Sequence, residues 1–178
     1  RDAGYMIDFF GPGYDAAERL GMLPALQAIH LPIDRLTFLN ANGSEKLSLT
    51  YSSFRKRIFS DRHFNFMRGD LERILYEKIS QTAIVRFGTT VESFRQHAEC
   101  VEVSLSDQSR HRVDLLVGAD GIHSAIRRLA FGQIHESVRY LGYHALAFVI
   151  NDPDLAGQVP RTMYTMTLPG KQVSVYPV

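Results

Sequence analysis

Apolar residues along this chain change period several times, and each change marks a new element. Residues 4–8 carry enough apolar residues in extended spacing to predict a short strand. Gly11-Pro12-Gly13 is a turn signal. After it Ala16, Ala17 and Leu20 fall on one helical face, with Gly21 placed as a left-handed stop. Strand-type residues flank Asn42-Gly43, the strongest short hairpin signal. HFNFM alternates and predicts a strand ending at Met67. The clearest helix follows over 68–80. Leu71, Ile74, Leu75 and Ile79 take one face, and Glu72, Arg73, Glu77 and Lys78 the other. Asp70 in its first turn complements the helix dipole.

Three further stretches, AIVRF, TTVESFRQ and CVEVSLSD, predict an antiparallel meander of strands. Leu115, Leu116 and Val117 form a continuous apolar run, the pattern of a strand buried on both faces of a parallel sheet. Ile122, Ile126, Leu129 and Ala130 then recur at helical spacing, with Gly132 as the stop. From Tyr140 the pattern reads as strands again: YLGYHALAFVI, TMYTMTLP and QVSVYPV, with 152–157 as a loop. α/β logic therefore runs to about Gly132 and a β-rich piece follows.

Composition narrows the class. The chain has 178 residues, 45% hydrophobic and 22% charged, which suits a globular fold rather than disorder. The net charge of +1 carries no basic tail, so no nucleic-acid partner is expected. A single cysteine, Cys100, excludes an intramolecular disulfide. The seven histidines show no metal-ligand spacing, so no metal is expected. LGYHALAFVI is far shorter than the ~20 residues that span a bilayer. No membrane association is expected, and a cytoplasmic setting is the default. Both ends look cut, which suggests a piece of a longer protein.

Gly118-Ala119-Asp120-Gly121 is the first candidate for chemistry. It stands between an apolar run and a helix, where α/β sheets bind ligands. Gly121 lets backbone approach a ligand closely. Asp120 either accepts hydrogen bonds from ribose hydroxyls or caps the helix itself. Arg68 opens its helix with a cation, which opposes the dipole by roughly 0.3–1 kcal/mol. A nearby phosphate would reverse that sign; the alternative is a solvated arginine whose stem packs on Phe66. Arg1 and Gly4 say nothing by themselves. His123 and Ser124 suit a ligand, and Ser124 equally a local cap. Arg127 and Arg128 lie towards a helix C-terminus, where positive charge is favourable. Asp8 either faces a site or forms a turn. No Ser-His-Asp set or carboxylate pair stands out, so hydrolysis has no support.

Together these segments resemble one family. GADGIHSAIRR resembles the Gly-Ala-Asp-Gly motif of the class A FAD-dependent aromatic hydroxylases, monooxygenases of the para-hydroxybenzoate hydroxylase fold. MRGDLERIL is similar to the Arg-x-x-Leu helix that precedes it there. RDAGYMIDFFGPGYDAAERLGML is similar to the segment after the first flavin-binding unit, especially in the tetracycline-inactivating branch.

The resemblance implies an α/β fold. Residues 1–135 would be part of an FAD-binding, Rossmann-like three-layer domain with a β-meander. Residues 136–178 would begin a β-rich substrate domain. It implies FAD, with NAD(P)H and O2 as co-substrates. The reaction would hydroxylate an aromatic or polycyclic small molecule through a flavin C4a-hydroperoxide. Arg68 would contact the FAD sugar or phosphates, Asp120 and Gly121 the ribose and pyrophosphate side, and Arg1 the flavin. Tyr143, Phe148, Tyr164 and Met166 would contact substrate or lie in the core.

The chain also departs from the family. No Gly-x-Gly-x-x-Gly fingerprint occurs in it, nor the second Gly-Asp motif. The 178 residues alone are therefore expected to hold FAD poorly. The alternative is a truncated, non-catalytic binding protein that keeps the scaffold. A flavin reductase or halogenase is a third reading, though the chain lacks the tryptophans of a halogenase. A missing edge strand would invite homo-oligomerisation.

Overall fold

Strand β1 (Met6–Phe10) pairs antiparallel with β4 (His63–Met67), from Met6 opposite Met67 to Phe10 opposite His63. Alternation sends Ile7, Phe9, Phe64 and Phe66 to one face. There they pack with Ala17, Met22 and Leu26 from α1 (Pro12–Arg19) and the start of α2 (Leu23–Ala28). Phe66 and Leu26 are fully buried, each contributing about 1.5–3 kcal/mol. Gly21 ends α1 as the sequence predicts. Its φ is +65°, its N–H donates to Glu18 O at 3.0 Å, and the Met22 N–H donates to Ala17 O at 2.8 Å.

This computed structural model describes residues 5–132 and 138–178. A second sheet has the order β3-β2-β8-β9. β2 (Arg35–Leu39) and β3 (Glu45–Thr50) form the hairpin predicted around Asn42-Gly43. β8 (Thr162–Leu168) lies parallel to β2, and β9 (Lys171–Val175) antiparallel to β8. Under this sheet α3 (Tyr51–Phe59) contributes Tyr51 to a buried cluster with Ile33 and Leu36. α4 (Arg68–Ile79) follows β4 directly and packs Leu71 and Ile74 on the first core. These elements belong to one unit, Arg1–Thr82 with Leu146–Val178.

The second unit is Ala83–Ala145. It holds the predicted meander as β5 (Val91–Gln96), β6 (Val101–Leu105) and β7 (Arg110–Val113), then α5 (Ala125–Phe131) stopped at Gly132 with φ +76°. The breaks between units fall at 82/83 and 145/146. The 135/136 boundary lies in a stretch, 133–137, outside the described residues.

Four expectations need correction. Residues 83–87 are not a strand, and Ile84 and Phe87 are exposed. Residues 115–117 form no ladder, and Leu115 and Val117 are 75% and 69% exposed instead of buried on both faces. Residues 140–150 are also unpaired and exposed. Each run has strand composition, but a strand needs a neighbouring edge, and none among the described residues pairs with them. Lastly, 152–157 is not a loop. It holds α6 (Pro153–Gln158), whose N-cap Asp152 accepts from the Asp154 and Leu155 N–H groups at 3.0 Å.

Candidate functional site

The turn at Gly118–Gly121 is shaped by contact with α5. A Cβ on Gly118 would stand 2.7 Å from Ile126 Cγ2, so only glycine fits there. Gly121 has φ +79°, and a Cβ built on it meets nothing within 4 Å. Its outer side is open to an approaching group. Asp120 folds back onto the helix. Its Oδ2 accepts from the Ala125 N–H at 2.6 Å and the Ile126 N–H at 3.1 Å, and its Oδ1 from the Ser124 hydroxyl. Ser124 Oγ accepts in turn from the Arg127 N–H at 2.9 Å. The Ser124 hydroxyl, with these backbone donors, holds the Asp120 carboxyl below the usual carboxylate range. Asp120 is thus a helix cap with both oxygens engaged. Arg127 does not act at the helix end; it reaches back to Ile122 O and Gly121 O and braces the turn. His123 is exposed beside it, and Arg128 is exposed in the last turn of α5.

Arg68 stands in the first unit, while Asp120 and Gly121 stand in the second. Met67, the N-cap of α4, makes no side-chain cap bond, which leaves early N–H groups of a twelve-residue helix without a cap. The Arg68 N–H donates to Tyr5 O at 3.1 Å and so closes the end of the β1–β4 ladder. Its guanidinium, 38% exposed, pairs with Glu72 at 3.2 Å one turn along. Exposed i,i+4 pairs are worth only about 0.3–0.5 kcal/mol, so Glu72 holds Arg68 weakly. Arg1 and Gly4 lie outside the described residues. Tyr143 and Phe148 are exposed rather than core, and Tyr164 and Met166 are half-buried on β8.

Sequence reasoning missed a polar cluster on the other face of the β1–β4 pair. Asp8 is neither terminal nor in a turn; it sits mid-strand, opposite Asn65. His63 and Asn65 are fully buried. His63 Nε2 lies 3.0 Å from Asp8 Oδ1. The Asn65 amide is satisfied when its nitrogen donates to Asp8 Oδ1 at 2.9 Å and its oxygen accepts from the Tyr51 hydroxyl at 3.2 Å. In that orientation the Asn65 nitrogen also lies 3.0 Å from His63 Nε2, while His63 Nδ1 has no hydrogen-bond partner. Phe59 stacks on the His63 ring at 4.7 Å. The one available signal was the alternation of HFNFM, which places His63 and Asn65 on the same face as Asp8.

The outer edge of β4 is closed by one backbone bond and two side chains. Leu31 N–H donates to Asn65 O at 2.7 Å, the Asn65 N–H donates to His30 Nδ1 at 3.1 Å, and Arg55 Nη2 donates to His63 O at 2.9 Å. An open strand edge is thereby covered. Burial, above all, pushes the His30 imidazole below its ordinary value, with Arg55 and His63 adding to it.

Comparison with known proteins bears on family and fold. An FAD-dependent monooxygenase, asL4 of Sarocladium schorii, is 32% identical over 135 residues, covering 74% of this chain and 31% of that protein. The crystal structure of tetracycline destructase Tet(55) superposes with a TM-score of 0.72 at 21% identity, over 99% of this chain and 43% of that one. Klebsiella pneumoniae HpxO, complexed with FAD and uric acid, gives 0.72 at 24% identity, over 97% and 44%. At these identities the two structures establish the fold alone. The chain spans about 40% of the length of the curated relatives it matches over most of its own length. Residues 20–178 match the family described as FAD binding domain, and the chain belongs to that family.

Proposed function

We propose that the natural polypeptide carrying these 178 residues is an FAD-dependent monooxygenase. It uses NAD(P)H and O2 to hydroxylate an aromatic or polycyclic small molecule. The observation that carries this reading is the family match over residues 20–178, with a 32% identical relative named as an FAD-dependent monooxygenase.

Each unit, taken by itself, offers groups suited to part of a dinucleotide. Arg68 offers an exposed guanidinium at a helix start without a side-chain cap, suited to a phosphate or sugar oxygen. Gly121 offers open backbone at a corner where any Cβ would be strained. Asp120 holds that corner in shape through α5, and Arg1 would stand on the flavin side. FAD, when bound, supplies the redox chemistry; the protein supplies position and exclusion of water. Tyr164 and Met166, half-buried on β8, would line the substrate side or lie in the core.

Residues 1–135 then belong mainly to the FAD-binding part and 136–178 open the substrate part. Because β8 and β9 share a sheet with β2 and β3, the substrate sheet also draws on residues 35–50. The single cysteine is buried and free, which suits a reducing, cytoplasmic setting. Among the described residues no helix is long and apolar enough to cross a membrane.

Purification of the natural polypeptide tests the proposal. Yellow protein with flavin absorbance, and NAD(P)H oxidation that rises with aromatic compounds, is the expected result. Colourless protein that takes up no FAD on reconstitution would favour a non-catalytic binding protein on the same scaffold.

A further inference from the structure

We infer that the Tyr51 hydroxyl is a positioning group that keys the β1–β4 strand pair to the four-stranded sheet. The inference rests on the reading above, in which the strand pair leads into Arg68 on the cofactor side and the sheet lies on the substrate side.

Tyr51 belongs to both bodies at once. Its ring is 5% exposed and packs with Ile33 and Leu36, against which Phe38 of β2 and Met163 of β8 also pack. Its N–H donates to Asp34 O at 2.8 Å, at the entry to β2. Its hydroxyl points the other way, 3.2 Å from the Asn65 amide oxygen and 3.4 Å from Asp8 Oδ1. Asp8 and Asn65 are direct cross-strand partners. Asp8 stands three residues from Tyr5, whose carbonyl receives the Arg68 N–H. Three residues of strand span about 10 Å. A short, rigid path thus runs from the substrate sheet through one phenol to the residue proposed to hold the cofactor.

The chemistry of the contact suits orientation better than bulk stabilisation. The pocket around the ring is apolar, and phenylalanine would fill it equally well. Burial, above all, pushes the phenol up from its ordinary value, so it keeps its single proton. That proton is shared between Asn65 at 3.2 Å and Asp8 at 3.4 Å, both longer than the usual O–H···O distance, and such bonds remain directional. The carboxylate is itself held by His63 and Asn65, so the hydroxyl docks on a fixed target.

Tyr51→Phe tests this in the 178-residue chain by residual dipolar couplings of backbone amides. In the unaltered chain, amides of β1 and β4 and amides of β2, β3, β8 and β9 should fit one alignment tensor. In Tyr51→Phe each sheet should still fit a tensor of its own, with loss of the common fit. A hydroxyl that only adds stability would lower the urea midpoint and leave one tensor for both sheets, and that result overturns the inference. If Tyr51→Phe fails to fold, Asp8→Ala combined with Asn65→Ala decides, because together they remove both acceptors of the hydroxyl while keeping the ring. It should lose the common fit, and a retained common fit overturns the inference. FAD uptake by the natural polypeptide is read separately. Tensors that separate in a protein without FAD would uphold the positioning role and defeat the cofactor reading. A common fit in an FAD-loaded protein would do the reverse.

Discussion

His63, with no exposed surface, places its Nε2 3.0 Å from the carboxylate of Asp8, whose side chain is 55% exposed. An exposed aspartate is usually solvated by water. This one is also the acceptor for the buried His63 and Asn65. Asp8→Ala strands those buried donors and should destabilise the chain by about 1–3 kcal/mol. Asp8→Asn keeps one acceptor oxygen and should recover part of that loss. Urea unfolding of the two variants checks both, and equal stability of wild type and Asp8→Ala would show that the cluster is already hydrated.

His30 gives a pH dependence. In the folded chain its Nδ1 lies 3.1 Å from the Asn65 backbone, and burial, outweighing that contact, pushes the ring below the ordinary imidazole value of 6.5. The unfolded chain therefore takes up its proton at a higher pH than the folded chain. Between those two values the unfolded state binds more protons, so stability rises with pH. Its contribution is whole above 6.5 and is lost as pH falls from 6.5 through the folded value. His30→Asn, which cannot titrate, should flatten this part of the profile. Urea midpoints for both proteins on either side of 6.5 make the comparison; parallel curves would refute it.

Gly118 and Gly121 should fail for different reasons. Alanine at 118 drives its Cβ into Ile126 and should cost about 1–3 kcal/mol by overpacking. Ile126→Ala in the same chain should relieve part of that, giving a coupling in a double-mutant cycle. Alanine at 121 meets open space and is penalised only by its left-handed backbone, about 1–2 kcal/mol. No change at Ile126 should rescue it.

Asp120→Ala removes the acceptor for Ser124, Ala125 and Ile126 and should fray the start of α5. Amide exchange at Ala125 and Ile126 should quicken, while the β5–β7 amides stay protected. Because the folded carboxyl lies below the ordinary value of 3.8, its contribution is present above 3.8 and is lost as pH falls beneath it.

Local signals in the sequence were read well where neighbours in the chain complete the element. The hairpin at Asn42-Gly43, the Gly21 stop, the end of β4 at Met67 and the helix after Arg68 all close within a few residues. Residues 115–117 and 140–150 failed because strand composition cannot say whether an edge is available to pair with. α2 and α6 were missed because six residues are too few to show a helical period. β8 pairs with β2 across more than a hundred residues, a partnership that no local pattern encodes. At the site, the Asp120 carboxylate was legible as a cap or a ligand group, and its geometry is that of the cap. The Asp8 cluster stayed hidden because His63 and Asn65 have the alternation of a solvent face, yet Tyr51 and Phe59 of α3 cover it.

The central claim is that the Arg68 end of α4 faces a bound dinucleotide. The direct measurement is FAD affinity of the natural polypeptide, by flavin fluorescence, for wild type and Arg68→Ala. Loss of one phosphate or sugar contact should weaken binding roughly tenfold, about 1.4 kcal/mol. Arg68→Lys should restore part of it, since a point charge replaces a planar fork. An Arg68→Ala protein that binds FAD as tightly as wild type would contradict the account.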